Sequence, residues 1–206
     1  MTPKKVRQNR VKKALLAQYA LLAYNLVEGV LSVFFGLGAG SIALISFGLD
    51  SFVESASTII VTLRLQKSGK VSEREEEEYE RRAFRMVGCA FILLAVYVAF
   101  ESARKLIAQE APEASIAGIL IAITSIVVMP LLAKYRHDIG HEINSKSLVA
   151  DSKQTMLCVY MSVALLLGIG LNLLFGWWWA DPLSGLAIAI LALNEGKKAL
   201  EGKTCC

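Results

Sequence analysis

Asp50 and Glu54 are the residues whose type and spacing most directly invite chemistry. On a helix, carboxylates four positions apart leave one face, one turn apart. The run that holds them, residues 41 to 63, is otherwise apolar and long enough to cross a bilayer. A bare acid at mid-membrane costs about 3 kcal/mol even on the mildest scales, so membrane segments seldom carry two without a use for them. No Lys or Arg occurs between Lys13 and Arg64, so the balancing charge must come from another helix, from protons or from a bound cation. We read the pair as a cation site.

A second polar row, Asp151, Gln154 and Cys158, steps by three and four and so shares one helical face. If the two rows pack together they form a polar cage. Its carboxylates, amide oxygen and thiolate suit a divalent transition metal; zinc takes about four such ligands. Sulfur favours softer ions, whereas carboxylates alone would admit manganese or magnesium. Plainer readings stand beside these: Cys158 as a small packed hydrophobe, Gln154 as a helix-bridging hydrogen bonder, and Asp151 as a helix cap. Asn25 and Glu28, in the first apolar run, fit either an accessory ligand or proton-carrying group, or a helix–helix contact. Lys153 lies two residues from Asp151, so it points elsewhere and can snorkel away. His137 and His141, spaced i,i+4 in a polar connection beside Asp138 and Glu142, read as exposed loop residues or as a peripheral loading or regulatory metal site. The acids between Glu73 and Glu80 read as a solvated face. Cys205 and Cys206 could chelate metal, carry an acyl group or form an inert tail.

The elements that must position these groups follow from composition. Of the 206 residues 55% are hydrophobic, and charge is gathered at the N-terminus, in one central block and near the C-terminus. With a mean hydropathy of +0.51, the expectation is an all-α integral membrane bundle of six transmembrane helices in one domain, residues 14–200. It is flanked by a basic N-terminal segment, 1–13, and a short tail, 201–206. The spans are expected at about 14–35, 41–63, 83–103, 115–133, 147–175 and 182–194, with polar connections at 64–82 and 134–146. Pro130 is positioned to kink the fourth span. Asp181 and Pro182 suit the N-cap and first turn of the sixth. Trp177, Trp178 and Trp179 read as an interfacial belt. Lys and Arg crowd the two ends, the 64–82 connection and the 134–146 connection, which places both termini in the cytoplasm, in a cell (inner) membrane. The net charge of +4 is thus a matter of topology, not of nucleic-acid binding. The four cysteines show no secreted disulfide pattern, and no cleavable leader is read. No residue is given a catalytic role and no prosthetic group is called for, so an enzyme is not expected.

Three phrases then resemble a known family, the cation diffusion facilitators. Gly40-Ser41-Ile42-Ala43-Leu44 followed by Asp50 and Glu54 is similar to that family's second helix. Ala150-Asp151 followed by Gln154 and Cys158 resembles its fifth, where His and an acid are usual at the last two positions. Trp179-Ala180-Asp181-Pro182-Leu183-Ser184-Gly185 resembles the opening of its sixth. The resemblance implies that Asp50, Glu54, Gln154 and Cys158 occupy ligand positions. It implies a homodimer that alternates between inward- and outward-open states, exporting Zn2+ or a similar ion (Cd2+, Co2+, Mn2+ or Ni2+) in exchange for protons. The family's large cytoplasmic metal-binding domain has no counterpart here, which makes the chain look like a short, divergent branch. The alternatives are a non-transporting metal-binding membrane protein that regulates a partner, and a passive cation pore.

Overall fold

The computed structural model describes residues 3–67, 73–113 and 115–201; side chains are described within 9–66, 81–82, 85–113 and 115–201. The chain forms six helices among the described residues: α1 Pro3–Ala39, α2 Ile42–Lys67, α3 Glu73–Ala108, α4 Ile116–Glu142, α5 Lys146–Phe175 and α6 Ala180–Leu200. Five contain a stretch long and apolar enough to cross a membrane, namely Asn9–Ala39, Ile42–Gln66, Arg85–Ala108, Ile116–Glu142 and Lys146–Phe175. At about 1.5 Å per residue α6 matches a bilayer core in length. Its Asp181, Glu195, Lys197 and Lys198 make it the most polar of the candidate spans.

Local chemistry sets the connections. α1 ends in a Schellman turn at Gly40, whose φ of +62° suits a residue without Cβ. Ser41 N donates to Gly36 O at 3.0 Å and Gly40 N to Leu37 O at 3.3 Å. α4 closes the same way on Asn144 at φ +55°, with Ser145 N donating to Gly140 O at 2.9 Å. Ser115 and Ser145 cap α4 and α5.

The helices close into a ring in the order α1, α2, α3, α6, α5, α4, with α2 also touching α5 and α6 across the interior. Glycine allows the closest approaches: a Cβ on Gly48 of α2 would meet Gly29 O of α1 at 2.9 Å, and one on Gly196 of α6 would meet Gly88 O of α3 at 2.9 Å. The apolar core gathers Leu21, Leu44, Phe47, Met129, Met161, Leu165 and Ile188. Outside, Leu16, Phe34, Leu93, Phe100, Leu120, Leu131, Leu167 and Leu174 are exposed on four different helices. Apolar residues bared on so many faces suit a solvent of lipid, not water.

Several boundaries differ from the sequence reading. The 134–146 segment is not a polar loop: α4 runs on to Glu142 because Arg136, Ile139 and Gly140 are buried in the bundle. His137 and His141 therefore stand on a helix. α3 begins at Glu73, so the charged 64–82 stretch does carry a helical extension into the third span, an option its sequence left open. α4 continues through Pro130 without a break. α6 extends past Asn194 to Leu200 and so carries Glu195 into the packed region. Trp179 and not Asp181 is its N-cap. Trp177 and Trp179 stack at 5.1 Å at the end of the bundle, half exposed, as an interfacial pair would. Cys205 and Cys206 lie outside the described residues.

Candidate metal centre

Each helix that borders the interior turns a polar face inward. On α1 that face is Gln18, Asn25, Glu28 and Ser32, spaced by seven, three and four, all buried. On α2 it is Asp50, Ser51, Glu54, Ser57 and Thr58, and on α5 Asp151, Gln154, Thr155 and Cys158. The two rows expected to meet do so across the α2–α5 contact.

At one end of this interface the carboxylate of Asp151 is saturated. Asp151 forms an ion pair with Arg136 of α4, and both side chains are 0% exposed. Its other oxygen accepts from Ser57 Oγ at 2.8 Å, and Gln18 Nε2 donates to Oδ2 at 3.3 Å. Arg136 also donates through Nη1 to Thr155 Oγ1 at 2.7 Å. The sequence reading held Asp151 to be a cage ligand or a cap. The structure engages its carboxylate with a cation instead, because α4 delivers a guanidinium where a loop was expected.

About one turn further along α2 the picture reverses. Glu54 is buried with no well-formed hydrogen bond on either oxygen, and both polar atoms of Asn25 likewise lack one. Thr155, Asn25 and Cys158 nonetheless stand beside the carboxylate, and Arg136 acts on it through space. Glu28 accepts from Ser51 Oγ at 2.9 Å through Oε2, while its Oε1 has no partner. Asp50, Glu54, Gln154, Cys158 and Glu195, with Phe91, Leu157 and Met161, line one cavity. The cavity is small, about 10 Å³, at the lower limit for a single water molecule.

Glu195 is the residue the sequence reading missed. The sixth span was expected to end at Asn194, one residue before it. Three positions separate it from Ala192 and four from Ala199, both buried, which is the helical signal that extends α6. It is 7% exposed and accepts from Lys198 Nζ at 3.3 Å, so it stands where the cavity approaches the end of the bundle that holds the termini.

Three acids (Asp50, Glu54 and Glu195) thus share a cavity with one thiol and one amide, and the buried cation nearest to them is already spent on Asp151. Among the described residues no three His, Cys, Asp or Glu side chains converge tightly enough to hold an ion as placed. The donors line the walls, and gripping an ion requires their rotation. Gln154 illustrates this: its Oε1 accepts from Ser57 Oγ at 3.2 Å, while Nε2 has no partner. Turning the amide by half a revolution would keep Ser57 bonded through Nε2 and aim the oxygen elsewhere. Lys153 is exposed on the opposite face, as its spacing implied. His137 and His141 lie far along α4 and are not part of this cavity.

Asp181 serves the site from a distance. Its carboxylate accepts from Ser41 Oγ and from the backbone N–H of Ile42 at 3.0 Å. It therefore caps α2, the helix that carries Asp50 and Glu54, and not its own helix. Lys105 Nζ donates to Gly40 O beside it.

The family model described as the cation efflux transmembrane domain matches residues 19–198. Among curated proteins, an uncharacterized transporter of Methanocaldococcus jannaschii is 28% identical over 81% of this chain and 60% of its own length. The cadmium, cobalt and zinc/H(+)-K(+) antiporter of Bacillus subtilis is 26% identical over 90% of this chain and 60% of its own. Magnetosome protein MamB of Magnetospira is 27% identical over 94% and 64%. The chain thus spans about 60% of the length of the first curated relatives it matches.

Proposed function

The chain belongs to the cation efflux family, and from that premise we propose that it moves a zinc-class divalent cation through the bundle, exchanging it for protons by alternating access. The observation that carries this reading is Glu54: a buried carboxylate with both oxygens unpartnered, sharing a cavity with Asp50, Gln154 and Cys158. An arrangement so costly in hydrocarbon makes sense where a doubly charged ion or protons fill it by turns. Metal requires the acids ionised, and protons arriving from the other side neutralise them and displace it. Asp50 and Glu54 are the central ligands, with Cys158 and the turned amide of Gln154 completing the set. Glu195 receives the ion at the cytoplasmic side, and Glu28 with Asn25 takes it or the proton further. Asp151 acts as a positioning residue, held by Arg136 and orienting Gln154 through Ser57. Both termini face the cytoplasm, and the working unit is a homodimer in a cell membrane.

Uptake of Zn2+ into proteoliposomes under a pH gradient tests this. The parent should saturate with metal and move protons in the opposite sense; Asp50→Ala and Glu54→Ala should fall to the flux of empty vesicles. Glu195→Gln should raise the metal concentration needed for half-maximal flux more than it lowers the maximum. Undiminished flux in the Asp50 and Glu54 variants would refute the site. Flux without saturation or proton movement would make the protein a pore, and tight binding without flux would make it a metal-responsive partner protein.

A further inference from the structure

On the outer face of α4, one turn from its end, His137 and His141 face each other with Nε2 atoms 3.3 Å apart. Their ring centroids are 4.5 Å apart and their planes cross at 64°. Two imidazoles bound to one tetrahedral ion at metal–nitrogen distances of about 2.0–2.1 Å place their nitrogens about 3.3 Å apart, the edge of that tetrahedron. Without an ion the two rings share one hydrogen bond at this distance; with that proton gone, the same separation is the one a divalent ion requires.

The carboxylate of Asp138 adds negative charge beside the pair: its Oδ1 lies 3.6 Å from Nδ1 of His137, beyond hydrogen-bond reach. The backbone beneath is firmly held. Arg136 anchors the same turn to Asp151, Arg10 pairs with Glu142 at 2.5 Å, and the Asn144 turn closes the helix. His137 is 40% exposed at its side chain, so water can complete the coordination shell. His141 also borders a surface pocket of about 380 Å³ that extends to Asn144 and Ser145.

The geometry points to a second, peripheral binding site for a borderline divalent ion such as Zn2+, Ni2+ or Co2+. It is held by His137 Nε2 and His141 Nε2, with the charge of Asp138 beside it, and separate from the cavity inside the bundle. It sits at the same end as Glu195, on the side of the chain termini. An ion there clamps the last turn of α4, next to the residue that secures Asp151. With two protein ligands it is a weaker and faster-exchanging site than a closed four-ligand one.

The test uses full-length, untagged protein in detergent, with Asp50→Ala and Glu54→Ala combined so that the interior site is removed. Binding of Ni2+ and Co2+ is followed by calorimetry and by cobalt absorption. This background should still bind Ni2+, and adding His137→Gln or His141→Gln should weaken that binding by at least about tenfold. Asp138→Asn should weaken it less. Both histidines are at the surface, so melting temperatures should stay at the parent value. Binding that survives both histidine substitutions unchanged, or no binding in the Asp50/Glu54 background, overturns the proposal. Neither result touches the flux prediction for the interior site, which is read in vesicles.

Discussion

Asp151 and Glu54 are both buried at the α2–α5 interface, about one helical turn apart, yet one is ion-paired and hydrogen-bonded and the other has no well-formed bond. Asp151 has a guanidinium, a hydroxyl and an amide around it. Glu54 has no hydrogen bond on either oxygen. Burial alone therefore does not tell a structural acid from a working one inside a membrane; the census of partners does. A saturated carboxylate locks helices, whereas an unsaturated one is kept at a cost that folding alone does not justify.

Mutation can break this contrast from either side. The largest expected effect is Arg136→Leu, which strands Asp151 without its cation; about 3–5 kcal/mol of stability should be lost, seen as a lower melting temperature in detergent. Adding Asp151→Leu should recover most of it. If Arg136→Leu melts like the parent, the pair is not what fastens α4 to α5. A smaller effect of opposite sign is expected at the bare acid. Glu54→Leu should leave stability unchanged or raise it by about 1–3 kcal/mol, because an unpartnered buried group is removed. The same variant should lose the interior site's share of the stabilisation by added zinc, about 2.7 kcal/mol at a hundred times that site's dissociation constant, and keep only what the weaker His137/His141 site gives. The mildest change is Cys158→Ser, which should leave melting within about 1 kcal/mol and alter only the preference among cadmium, zinc and manganese. An unchanged order of metals would return Cys158 to the apolar core.

The span pattern, the α2 acids and the α5 row were legible because each rests on a local period. Polar residues at steps of three and four, within runs long enough for a bilayer, announce one inward face. What was not legible depends on partners far apart in sequence. Arg136 looked like one more basic residue in a cytoplasmic loop, and nothing near it in the chain says that its charge is buried against Asp151. Glu195 was hidden in the same way by the lysines that follow it. In both cases a charged stretch marked the end of a span too early, because long side chains at helix ends can remain in contact with the bundle. Asp181 shows a subtler failure. A helix-start residue of the right type was assigned to the nearest helix start, whereas its carboxylate reaches the start of α2.

That reach bears on how the protein is made. α2 is synthesised well before residue 181; Ser41 can serve the N–H of Leu44 at once, but the N–H of Ile42 gains its carboxylate partner only when Asp181 arrives with the last helix. The cap of the helix bearing Asp50 and Glu54 is therefore complete only when the chain is nearly finished. With a cysteine introduced at Ile42, a nascent chain halted before Asp181 should be open to thiol reagents there, and one halted after α6 should be closed.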